Sequence, residues 1–435
     1  MRRVLFVVVI VAAVLNAALE RQKGADYRER RMALAKSING GTLVLFASTE
    51  SEGQNNLFGF RQNDDFYYLT GWAEPGAAVV ISAASDSHPY TEILFLPEHN
   101  LTQEKWTGPK LGPENPDAPR ITGFDRVQAL DRIHEELAKV LPQPRAVVYT
   151  DAGEGSPSLG PREWLRRTNS FPNYTSWADS RPLIARLRMV KDAGELQFIT
   201  RATDASEAGH RAALKAIRPG VTEREIASLI VYEYSKRGCE RSAYAPIVGS
   251  GLYSTVLHYS EDSGTMQSGD VVVMDVGGEY SMYATDITRT APVNGKFTAR
   301  QREIYNLVLQ AQEVAIKSFE VGRSKLTGNG PDSLYKAVMD YINAHGKDLH
   351  GEPLGKYFIH GLGHHVGLNV HDASDTSVPL DKGMVFTLEP GIYIPEEKLG
   401  VRIEDMFYVD QNGKLVMLTH DLPRTADDVE RAMAK

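Results

Sequence analysis

MDVGGEYSMYATDITRT, residues Met274 to Thr290, carries one aspartate at position 275 and another at position 286. The stretch reads as two strands folding back on each other. With Tyr280 and Ser281 at the tip, Asp275 falls directly opposite Asp286. Cross-strand partners on one face have Cβ atoms only about 5 Å apart, so two carboxylates would be forced together unless a cation lies between them. Asp-x10-Asp spacing alone marks many surface hairpins, but the approach DVVVMDVGG is apolar on both sides of Asp275. An unpaired carboxylate is costly to bury there, and the pattern favours one wall of a metal site.

Three later segments supply what such a site needs: HGLGHHVGLNVHD (His360 to Asp372), TLEPGIYIP (Thr387 to Pro395) and GVRIEDMFYV (Gly400 to Val409). Each places a His or Glu in a short, mostly apolar setting. Two Asp, two Glu and one His form an oxygen-rich set that suits Mn²⁺, Co²⁺ or Zn²⁺ in a two-metal centre. Cys239 is the single cysteine, so no thiolate cluster competes. The apolar run MVFTL makes Glu389 the end of a buried strand. Arg402 and Glu404 share a face if extended, and a salt bridge between them is the plain reading. His364 and His365, being adjacent, diverge too far to reach one ion, so only one of them is a ligand.

These segments, in this order, resemble the metal-ligand motifs of the pita-bread metallopeptidases, a family that includes aminopeptidase P, prolidase and methionine aminopeptidase. FRQNDDFYYLTGWAEPGA (Phe60 to Ala77) and EKWTGPKLGP (Glu104 to Pro113) are similar to the amino domain of aminopeptidase P, and less closely to that of prolidase. The resemblance runs over roughly residues 28 to 410.

It implies Asp275, Asp286, His364, Glu389 and Glu404 as ligands of two divalent ions, Mn²⁺ foremost. It also implies Glu389 as the group that passes on the proton of the attacking water, His258 and His371 as donors to the developing oxyanion, and His360 and the stem of Arg402 as flanks of a prolyl ring. His365 is left with a structural role. The implied activity is hydrolysis of the bond between an amino-terminal residue and a following proline, by a homo-oligomer, dimer or tetramer, acting on peptides with proline in the second position.

The alternatives are a prolidase restricted to dipeptides and, from a different class, a metal-free pita-bread peptide-binding protein. Metal-free relatives lose ligands, whereas all five are present here. HDASDTSVPLDKGMVFTLE, His371 to Glu389, lacks the tyrosine that bacterial aminopeptidase P members can carry there, a departure that bears on fine specificity.

At ~150 residues per domain, 435 residues accommodate two or three domains. Forty-eight basic against 56 acidic residues give a net charge of −8, which offers no electrostatic footprint for nucleic acid and excludes it as the main partner. Residues 1–20 stand apart: Arg2 and Arg3 precede the apolar run Val4 to Leu15, the pattern of a secretory signal or an amino-terminal anchor. An exported location, periplasmic or secreted, with membrane anchoring by this segment as the variant, is the expectation.

Short apolar runs at Thr42 to Ser48, Ala77 to Ser85, Thr91 to Glu98 and Arg145 to Asp151 read as strands, and Asp125 to Leu141 reads as a helix. A loop-rich zone from Asp151 to Pro182 leads to Arg186 to Leu196, where the domain boundary is placed, giving an amino-terminal domain over 27–180 and a second over 186–430. Capping-box pairs Asp192 with Glu195, Thr222 with Glu225 and Thr298 with Gln301 announce helices. These should end near Pro219 and Gly220, near Gly238 and near Gly322, with a fourth helix starting around Pro331. The expected fold is α+β: an amino-terminal α/β domain of the creatinase and aminopeptidase P type, then a pita-bread domain with a curved antiparallel sheet backed by helices.

Overall fold

The computed structural model describes residues 19–49, 59–84, 89–141, 147–151 and 176–434. The proposed export segment, Ser85, Arg145 and most of the loop-rich zone lie outside the described residues. Among the described residues no helix is long and apolar enough to cross a membrane.

The amino-terminal half is a six-stranded mixed sheet ordered β4-β3-β2-β1-β5-β6, built from Thr42–Phe46 (β1), Ala78–Ser82 (β2), Thr91–Leu96 (β3), Arg126–Ala129 (β4), Val147–Thr150 (β5) and Ser176–Asp179 (β6). Both of its faces are covered at the centre, which is why β1, β2 and β3 are mostly apolar rather than alternating. Leu43, Leu45, Val79, Ile81, Leu94 and Leu96 enter one core. Val44, Ala78, Val80, Ile93 and Phe95 enter another, under the helix Ile133–Val140.

Two expectations fail in this half. The helix placed over Asp125 to Leu141 is instead strand β4, a 3₁₀ turn at Leu130–Arg132 and a helix from Ile133 to Val140. The open edge of β3 pairs in parallel with Arg126–Ala129, and that tertiary partner overrides the helical spacing of the apolar residues. The zone read as loop contains β6, parallel to β5, and the start of the helix Arg181–Met189. SWAD at Ser176–Asp179 is an edge strand with no fully buried residue, so no apolar period marks it.

The carboxy-terminal half places helices behind short antiparallel ladders. All three capping boxes form, at the starts of Ala193–Ala216, Glu223–Ser235 and Ala299–Ser318. Each helix stops just short of its anticipated breaker, and Ser333 caps the fourth, Leu334–His345. The strands are Arg241–Ser242 (β7), Ile247–Ser250 (β8), Val271–Asp275 (β9), Gly278–Tyr280 (β10), Tyr283–Ala284 (β11), Thr288–Pro292 (β12), Val385–Leu388 (β13), Gly391–Ile394 (β14), Leu399–Arg402 (β15), Asp405–Val409 (β16) and Leu415–Met417 (β17). They form the ladders β11-β10-β7, β12-β9-β8, β13-β16-β17 and β14-β15.

The register of the opening hairpin differs from the expected one. Its tip is Ser281-Met282, both at positive φ (48° and 74°), the handedness that suits a two-residue hairpin turn. Met282 is drawn into the core and is 1% exposed. Asp275 therefore faces Thr288 rather than Asp286. The shift is two residues, so parity survives: Asp286 becomes a diagonal neighbour of Asp275 on the same face.

The core shared by the two halves joins Leu34, Leu43 and Phe66 to Ile184, Phe198, Tyr283, Val366, Val385 and Met406. Arg188 reinforces it. Its guanidinium meets Asp65 at 2.6 Å and Asp372 at 2.5 Å, and Lys191 also pairs with Asp372 at 3.0 Å.

Candidate metal centre

Asp275 ends β9, and Asp286 lies between β11 and β12. The hydroxyl of Tyr244 sits 2.6 Å from Asp275 Oδ1 and 2.5 Å from Asp286 Oδ1. It has a single proton for two carboxylates, so the cluster is one hydrogen short.

The histidine-rich loop is held beside β13. Glu389 N donates to Leu362 O, Thr387 N to His364 O and Val366 N to Val385 O. This close approach requires Gly363, where a Cβ would lie 2.0 Å from Thr387 O. His364 consequently projects toward the carboxylates, with Nε2 3.3 Å from Asp286 Oδ2 and 3.6 Å from Glu389 Oε1. His365 turns the opposite way, bridges Phe386 through its backbone and is buried.

Donor atoms of Asp286, His364 and Glu404 all lie within 4.8 Å of one another. Asp275 is linked to this trio through Tyr244, and Glu389 through His364. Glu404 Oε2 accepts from Thr288 Oγ1 at 2.7 Å.

Arg402 does not pair with Glu404 among the described residues. Its guanidinium donates to Asp275 Oδ2 at 2.5 Å, to Tyr393 Oη at 2.9 Å and to Thr288 Oγ1 at 3.1 Å. Thr288, opposite Asp275, takes the Arg402 proton and gives its own to Glu404, so the two acids are separated by a neutral hydroxyl instead of sharing the arginine. Tyr393 passes the chain on to His360 Nε2 at 2.8 Å, and His360 Nδ1 lies 2.8 Å from Gly361 O. Both ring nitrogens of His360 are thereby occupied, which leaves only its face for a ligand. The His371 ring stacks on His364 at 3.9 Å. His258 is exposed, and burial lowers the basicity of His371.

The electrostatics follow from crowding acids in a dry place. Burial pushes Asp275 up to about 6, against Arg402, and Glu389 up to about 7, against His364. Burial, compounded by Asp286, Glu389 and Asp275, raises Glu404 well above the carboxylate range. For Asp286 the burial effect is outweighed by the hydrogen bond and charge of His364, and its pKa is lowered. His364 rises to about 9 because Asp286 overcomes burial. Burial lowers His360 to about 4 and His365 to about 4.

Four carboxylates around one imidazole, short of a proton at Tyr244 and with three acids pushed toward neutrality, form the donor set of a cation site. Positive charge at the centre would relieve each of these strains.

Tyr244, Thr288 and Tyr393 belong to the site and were missed in the sequence. Tyr244 lies in a loop without periodicity, and its role is created by distant chain. Thr288, by contrast, lies two residues from Asp286 in an extended segment, and the alternation of strand side chains points to it.

Known proteins match the chain along most of its length. Residues 197–411 match Metallopeptidase family M24, and residues 27–149 match Aminopeptidase P, N-terminal domain. The Xaa-Pro aminopeptidase of Escherichia coli (strain K12) is 34% identical, covering 94% of this chain and 97% of that protein. The Xaa-Pro aminopeptidase of Haemophilus influenzae is 32% identical over the same shares. Among solved structures, E. coli aminopeptidase P with the inhibitor Pro-Leu has a TM-score of 0.83 at 31% identity, covering 95% of this chain and 99% of that one. The Zn-substituted E. coli enzyme in complex with product gives the same TM-score and identity. With relatives this similar along almost its whole length, two domains in the same order and antiparallel ladders backed by helices in the second, the chain belongs to the aminopeptidase P family of M24 metallopeptidases.

Proposed function

We infer that the protein is a metal-dependent Xaa-Pro aminopeptidase, which hydrolyses the bond between an amino-terminal residue and a following proline. The carrying observation is the convergence of Asp286, His364 and Glu404 within 4.8 Å, with Asp275 and Glu389 alongside. These five would hold two divalent ions. The oxygen-rich set with one imidazole supports Mn²⁺ as the native pair, with Co²⁺ or Zn²⁺ as substitutes. When bound, the ions supply Lewis acidity that brings the ionisation of a water toward neutral pH.

The rest of the chemistry falls to the protein. Glu389, whose burial suits it to exchange protons near neutrality, takes the proton of the attacking water and delivers it to the leaving nitrogen. His258 and His371 donate hydrogen bonds to the carbonyl oxygen as charge develops on it. The bond before proline is a tertiary amide without an N–H, so recognition rests on the ring, against the face of His360 and the stem of Arg402.

Export directed by residues 1–20 and assembly into a homo-oligomer belong to the same reading, and cell fractionation and sedimentation test them. The direct test is hydrolysis of Xaa-Pro-Yaa tripeptides and Xaa-Pro dipeptides by chelator-treated protein, with and without added Mn²⁺. Cleavage of tripeptides at the Xaa-Pro bond, restored by Mn²⁺, is the expected result. Turnover of dipeptides alone would make the protein a prolidase, and activity indifferent to chelation would end the metal reading.

A further inference from the structure

Behind Glu389 and Glu404 lies a buried polar cluster that the reaction does not touch. Glu389 directly follows β13 and Glu404 directly precedes β16. The ladder joining these strands reaches Leu388 with Asp405 and resumes in the same register at Gly391 with Arg402, so the two glutamates face each other in the break between, with Glu389 N donating to Leu362 O and Glu404 N to Thr288 O.

One amide bridges that point. Gln312, on the helix Ala299–Ser318 and fully buried, donates through Nε2 to Leu388 O at 2.8 Å, to Ile403 O at 3.3 Å and to Asp405 Oδ2 at 3.0 Å. Its two hydrogens are shared among these three acceptors, Ile403 O being the most distant, and it thus spans the residue before each glutamate and the residue after Glu404. Its orientation is forced: these three partners only accept, while Arg424 Nε, which only donates, meets Gln312 Oε1 at 2.8 Å. Asp405 is fixed in turn by Arg289 at 2.6 Å and Thr419 at 2.6 Å. Arg289 also donates to Glu404 O at 2.7 Å and Thr288 O at 2.9 Å.

We propose that Gln312 is a positioning residue that sets the spacing between Glu389 and Glu404, and with it the affinity of the paired ion site. A metal site needs its ligands held within about 0.5 Å, and the strand pairing is interrupted at the two glutamates themselves. Carbonyls held by one amide move together. This inference rests on the metal reading above.

The test is calorimetric titration of chelator-treated protein with Mn²⁺, alongside thermal unfolding of the metal-free form. Gln312→Met keeps the unbranched shape without hydrogen bonds and should weaken Mn²⁺ binding by about tenfold to a hundredfold. Glu223→Gln perturbs an equally buried cluster, around Ser250 and Tyr259, that does not reach either glutamate. It should lower the melting temperature and leave Mn²⁺ affinity unchanged.

Affinity unaltered in Gln312→Met, with only the melting temperature reduced, would overturn the proposal by assigning Gln312 to stability alone. If Gln312→Met does not fold, Arg424→Met decides. It keeps the amide but frees its orientation, so a smaller loss of affinity is expected and no loss overturns the proposal. Wild-type protein that takes up no Mn²⁺ would instead reject the metal reading, and the inference with it.

Discussion

His364 Nε2 faces Asp286 across 3.3 Å, while His365, its neighbour, lies buried against Phe386. His364→Ala should therefore lower the bound-metal stoichiometry measured by elemental analysis and abolish most turnover. His365→Ala should leave the metal content near wild type and change the rate modestly. The reverse pattern would mean that the loop has been placed wrongly.

The raised carboxyls give a pH signature in the metal-free protein. Asp275 goes from an ordinary 3.8 to about 6 and Glu389 from 4.5 to about 7, so the folded state binds more protons than the unfolded chain between those values. Stability is then fully present below the ordinary values and lost as pH rises through about 6 and 7. Melting temperatures of metal-free protein should fall from pH 5 to pH 8, Mn²⁺ should restore them at pH 8, and Glu389→Gln should fall less steeply. A slope identical in the variant would remove Glu389 from this account. At this scale Asp286, His364 and Glu404, which converge, were legible because each stands in a conspicuous apolar setting. Tyr244 was not, since a hydroxyl gains its meaning from two carboxylates 31 and 42 positions away.

The capping boxes are the elements read most directly, because a cap is decided within four residues. Asp192 nevertheless does more than Thr222. Besides capping its helix it accepts from Gln22 at 2.7 Å and from Arg30 at 2.6 Å. Thr222→Ala should cost about 1 kcal/mol, and Asp192→Ala, which also removes one of the two carboxylates facing Arg30, about 2 to 3 kcal/mol. Chemical denaturation measures both, and equal losses would show that the contacts to Gln22 and Arg30 contribute nothing. The hairpin register and strand β4 escaped because their determinants are not local. Burial of Met282 moved the turn by one residue, and the free edge of β3 captured a segment whose own spacing favours a helix.

For the whole molecule, Arg188 ties Asp65 of the first half to Asp372, next to His371. Arg188→Met takes the cation from Asp65 and leaves Asp372 with Lys191 alone. It should destabilise the protein by about 3 to 5 kcal/mol and lower turnover by displacing His371. Loss of stability with unchanged turnover in the folded fraction would separate the salt-bridge hub from the histidine loop.

The two-domain order was legible from the sequence, but the common core was not, since nothing local tells Leu43 that it will share a core with Val385 and Met406. That core has a consequence during protein synthesis. The last strand of the first sheet ends at Asp179, long before Met406 is made, and at about 5–20 residues per second the wait is about 11 to 45 s. For that time the part of the amino-terminal core that Val366, Val385 and Met406 complete stands uncovered. Nascent chains of this protein should therefore be bound by holdases, and slow translation between the two halves should lower the yield of soluble enzyme.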